Sequence, residues 1–96
     1  MKTFTITTNS STASFNSPNF EEYGHTFIIY TTGAYGSGSL QLQESADGGV
    51  TWWDVGAPTT AKSRTVVTVY NGLPQRLTLT GATAPSIGVI IVGNGI

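Results

Sequence analysis

Ninety-six residues leave room for one small domain, and only nine of them are charged: four Lys or Arg and five Asp or Glu, net −1, beside one His and no Cys. A charged fraction of 9%, where soluble domains carry about 25%, leaves no basic or acidic run to meet nucleic acid, anionic lipid or a strongly charged partner. The missing Cys excludes disulfides and thiolate metal sites, and one His with scattered carboxylates supplies no nucleophile, base and orienting group, so the chain reads as a non-enzyme without cofactor or metal.

Period 2 dominates the chain, with Thr, Val, Ile, Tyr, Phe and Trp clustered between Gly, Asn, Ser and Pro. The opening MKTFTITTNS alternates Phe4 and Ile6 with Thr, where a signal peptide has a continuous apolar stretch; it reads as mature chain, with a first strand over 3–8. Ala13 and Phe15 suggest a second, weaker strand that Pro18 ends. Residues 25–32 form a third, and the unbroken apolar run Phe27, Ile28, Ile29, Tyr30 predicts a central strand covered on both faces. Residues 33–39, GAYGSGS, hold too many glycines for regular structure and read as a mobile loop with Tyr35 at its tip.

Over 39–45, Leu40 and Leu42 face inward and Gln41 and Gln43 outward; Asp47, Gly48 and Gly49 then turn the chain into a strand over 50–55. A polar connection over 57–63 leads to a strand over 64–70 built on Thr65, Val67 and Val69, and Asn71, Gly72 and Pro74 make the next turn. Residues 75–80 place Leu77 and Leu79 on one face, and 86–92 supply a last apolar strand. That last run, broken by Gly88, is far short of the roughly 20 residues of a spanning helix. Seven or eight short strands at this spacing predict an all-β fold: a two-sheet antiparallel β-sandwich of jelly-roll or Ig-like type, one domain over 1–96.

Residues 45–52 read SADGGVTW, with Ser45, Asp47, Gly49, Thr51 and Trp52 at the fixed positions of Ser-x-Asp-x-Gly-x-Thr-Trp. The segment resembles an Asp box, a hairpin motif of sialidase propellers and of several unrelated β folds. The resemblance implies a structural role, in which Asp47 accepts backbone N–H groups of its own turn, Gly49 permits positive φ and Trp52 packs beneath. Sialidase activity is not implied: the chain is too short for a propeller, and Arg64 and Arg76 fall short of the three arginines such sites use. The other polar residues fit structural roles better than chemical ones. His25 has no marked partner for general-base work, Glu21 and Glu22 point to opposite sides of an extended chain, and Asp47, Asp54 and Glu44 lack the order of a calcium loop. With Trp52 facing the core, its neighbour Trp53 faces out, and Trp53 and Tyr35 become candidate contact residues.

The wider pattern, a Gly/Ser loop followed by GSLQLQESADGGVTWWDV and an apolar final strand, resembles small β-sandwich proteins of tailed-bacteriophage particles from Gly33 onward. The resemblance implies a structural virion protein on the particle surface, a capsid decoration or cement protein bound to the major capsid protein or another virion protein. The charge deficit agrees with it, because a subunit buried against neighbours desolvates every charge it keeps. The alternatives are a tail or head-fibre component for host attachment, and a carbohydrate-binding module that uses Trp53 and Tyr35 as stacking platforms. The strands over 3–8 and 87–96 carry no side-chain charge, so one or both are expected as open edges that pair with or pack against another chain, a sister copy in a small oligomer or the capsid shell. Phe4 and Ile6 are then interface residues of a homo-oligomer, a trimer being one arrangement that icosahedral three-fold sites would suit.

Overall fold

A computed structural model describes residues 2–12, 26–68 and 73–93 of the chain. Outside them lie the strand expected near Ala13 and Phe15, the residues Glu21, Glu22 and His25, and the segment Val69, Tyr70, Asn71 and Gly72. Seven strands follow one another without a helix among the described residues: β1 (Lys2–Ile6), β2 (Thr26–Ala34), β3 (Ser39–Glu44), β4 (Trp53–Asp54), β5 (Ser63–Thr68), β6 (Gln75–Thr80) and β7 (Ser86–Gly93). They form two antiparallel sheets, one in the order β1-β7-β2-β5 and one in the order β4-β3-β6, and the architecture is a two-sheet β-sandwich. The β2–β5 and β3–β6 pairs are those of an Ig-type sandwich. The departure is β7, which sits between β1 and β2 instead of beside β6.

The core lies where the period-2 pattern of the two sheets meets. Phe27, Ile29, Ile87, Val89, Ile91 and Val67 of the larger sheet pack against Leu40, Leu42, Leu77 and Leu79 of the smaller. Burying each such side chain contributes about 1.5–3 kcal/mol before entropy is counted. Both apolar runs belong to inner strands of the larger sheet, but among the described residues neither is covered on both faces. Phe27, Ile29, Val89 and Ile91 are buried, whereas Ile28 and Tyr30 are half-buried and Ile90 and Val92 exposed.

Three other expectations change. The segment over 86–93 is no edge strand, since β7 is paired on both sides. The strand expected over 50–55 shrinks to Trp53–Asp54, because Ser45 and Asp47 bind the N–H groups of Gly49, Val50 and Thr51 that a ladder would use. The connection after it is also less free than its composition suggests: Leu40 and Thr59 exchange backbone hydrogen bonds of 2.8 and 2.9 Å, which fasten it along β3.

The Gly-rich segment is a packed corner. Gly33 lies inside β2 at φ 100°, where a Cβ would sit 2.2 Å from the Ser86 carbonyl oxygen. Gly36 has φ 60° and the same constraint against Thr83, 2.1 Å away, whose N–H donates to the Gly36 carbonyl at 2.8 Å. These glycines are there for close backbone approach as well as for positive φ. Tyr35 between them is 5% exposed, and its hydroxyl shares hydrogen bonds with those of Thr31 and Thr59.

Candidate functional site

The hairpin residues come together as local chemistry dictates. The Ser45 hydroxyl donates to Asp47 Oδ1 at 2.8 Å and accepts the Gly49 N–H at 2.8 Å. Asp47 Oδ1 also accepts the N–H groups of Thr51 at 2.8 Å and Val50 at 3.2 Å. The Thr51 backbone and side chain, the Ser45 hydroxyl and the Val50 N–H hold the Asp47 pKa down at about 2. Gly48 and Gly49 supply φ of 78° and 97°, and the fully buried Ser45 donates its N–H to the Pro74 carbonyl at 3.0 Å, which anchors the turn to the start of β6. Asp47 is thus committed to its own turn.

Trp52 does not face the core. It is half-buried on the outer side of the smaller sheet, against Gly49 on the turn and with the Arg76 guanidinium 4.3 Å from its ring centre. Arg76 Nε donates to Gln43 Oε1 at 2.8 Å, and Gln43 Nε2 donates to Asp54 Oδ1 at 3.0 Å, so one glutamine links cation and anion across three strands. This face of the smaller sheet is polar and internally satisfied, and the cation occupies a face of the Trp52 ring that stacking would need. Trp53 shares its side of the sheet with Glu44, opposite Asp54, and is 51% exposed at the end of the sandwich. The carboxylates of Asp47, Asp54 and Glu44 go to the turn, to Gln43 and to Gln75 respectively, rather than to one point.

The candidate interface residues divide. Trp53 is exposed, Phe4 is half-buried against the core, and Ile6 at 6% and Tyr35 at 5% exposure belong to the core and present no contact surface. A carbohydrate site therefore loses one of its two platforms. A partly open pocket of about 30 Å³ lies between the sheets beside Thr31 and Thr59, room for a water or two and far less than a sugar ring needs.

Sequence reasoning missed the outer face of the larger sheet. The register aligns Val66, Ile28 and Val92 in one row and Arg64, Tyr30, Ile90 and Thr3 in the next. Val66 is 55% exposed, Ile90 and Val92 are exposed, and Gly88 between Thr5 and Thr32 lowers the floor of a shallow groove. Among the described residues Arg64 is the one charge the register places here; its Nε donates to the Tyr30 hydroxyl at 3.4 Å. The signal was present as the apolar runs themselves, which fill the outward positions as well as the inward ones. No family model matches the chain, and no curated protein or solved structure gives a match to it.

Proposed function

We propose that this chain is a structural protein of a tailed-bacteriophage particle, a decoration or cement protein that docks on the outer surface of the head and stabilises it. The observation that carries the reading is the outer face of the larger sheet, where Ile28, Tyr30, Val66, Ile90 and Val92 adjoin one another with Arg64 as the single charge among the described residues. An extended face with apolar side chains and little charge suits docking on a shell, because such patches mark interaction surfaces and few charges are desolvated on contact. The opposite face, with its Arg76–Gln43–Asp54 chain, suits solvent.

The test uses purified particles stripped by mild denaturant. Copy numbers in the hundreds place the chain on the head, about a dozen or fewer place it in the tail, and none removes the reading. Stripped particles should rebind the chain, and V66K/V92K should rebind at least about tenfold more weakly with its own thermal unfolding unchanged, since both side chains are exposed. Equal rebinding would show that docking uses another surface.

A further inference from the structure

We propose that β1 pairs with β1 of a second copy of this chain, antiparallel about a two-fold axis at Phe4, joining two four-stranded sheets into one of eight strands. The edges of the sandwich differ in how they are closed. Thr12 N–H donates to the Leu77 carbonyl and Leu79 N–H to the Ser10 carbonyl, so residues 10–12 cover the free side of β6. β4 is two residues long and carries Asp54, and β5 carries Arg64, with Lys62 just before it. Among the described residues β1 pairs with β7 alone, and after Lys2 it reads Thr3, Phe4, Thr5, Ile6 without charge, proline or bulge. Short edges, charge or a covering segment are the usual guards against pairing, and beyond Lys2 at its start β1 has neither of the last two among the described residues.

A second copy fits this edge because the strand complements itself. Antiparallel pairing centred on Phe4 sets each Thr3 opposite the other copy's Thr5 on the outer face, and the two Phe4 side chains side by side on the inner face. Phe4 faces the core yet is half-buried, so a second ring beside it covers apolar surface that one copy leaves wet. In this register each Lys2 position lies opposite the other copy's Ile6, and the two Lys2 positions are about 13 Å apart along the strands. Parallel pairing would set the lysines side by side.

Five residues span about 17 Å, an edge of on the order of 200 Å² per copy, against about 800 Å² in a standard interface. The dimer is therefore weak in isolation, with a dissociation constant on the order of 10⁻⁴ M, and it fills when copies are held close together. The proposal concerns the chain alone in solution, so it can fail while particle docking stands, and the reverse.

Sedimentation equilibrium up to about 2 mM should fit monomer and dimer. The exposed threonines allow a register-specific test that spares the core. T3K/T5K sets like charges opposite each other twice and should weaken the dimer at least about tenfold, whereas T3K/T5E sets Lys opposite Glu twice and should dimerise at least as tightly as the parent. Thermal unfolding of dilute samples checks that both variants remain folded. A monomer throughout, a trimer, or equal weakening by both variants would overturn the proposal. So would β1 amides that are as protected from hydrogen exchange at 10 µM as at 2 mM, since another part of the chain would then cover the edge.

Discussion

Asp47 fastens its turn more firmly ionised than protonated. Its folded pKa of about 2 lies below the ordinary value of 3.8, so its contribution is complete above about pH 4 and is lost as pH falls through 2. In an NMR titration the Val50 and Thr51 amide shifts should move with a midpoint near 2, and Asp47→Asn should abolish that transition. Gly36 and Gly81 separate two reasons for a glycine: both have positive φ, but a Cβ at Gly81 meets nothing within 4 Å, whereas at Gly36 it meets the Thr83 carbonyl. Gly81→Ala should cost about 1 kcal/mol in urea unfolding and Gly36→Ala at least about 3 kcal/mol, since the second adds a backbone displacement to the strain. Asp47 was legible in the sequence because its partners lie within four residues. Tyr35 was not, because the carbonyls that crowd its flanking glycines and the Thr59 hydroxyl that meets its own come from distant segments; a run of glycines looks the same whether it is loose or tightly packed.

At the scale of elements, β1 is both an edge and a wall of the core. Ile6 is buried while Thr5 is exposed, so Ile6→Ala should cost about 2–4 kcal/mol and Thr5→Ala less than about 0.5 kcal/mol, measured by chemical denaturation. The strands expected over 25–32, 39–45, 75–80 and 86–92 from alternation, apolar runs and turn residues lie at 26–34, 39–44, 75–80 and 86–93, so that β2 runs on through Gly33 and Ala34, where a loop was expected. The length of β4 was not legible in this way, because alternation records which side chains could be buried and says nothing of where the backbone donors go. Ser45 and Asp47 take those donors, and the strand ends up two residues long. The place of β7 was hidden for a related reason: an uncharged strand suits an exposed edge that seeks a partner and equally an inner position that already has two.

For the whole molecule, the two outer faces are unlike, and this difference is the part of the candidate site that the sequence concealed. Gln41, Gln43, Arg76 and Thr78 announce a solvated face by alternating with leucines. Ile28, Tyr30, Ile90 and Val92 blur the alternation, and a continuous apolar run reads as burial on both sides, whereas the described residues place a second layer on one side only. The same topology governs the order in which the molecule can be made. Lys2 pairs with Ile91 and Phe27 with Gly93, and no described residue but those of β7 joins β1 to β2. A ribosome delivering this chain therefore releases β1 through β6 before the centre of the larger sheet exists. Its closing contacts span most of the sequence, a high contact order that makes folding slow. Until residues 86–93 emerge, Phe27 and Ile29 have no β7 beside them, and their apolar surface is open to other chains.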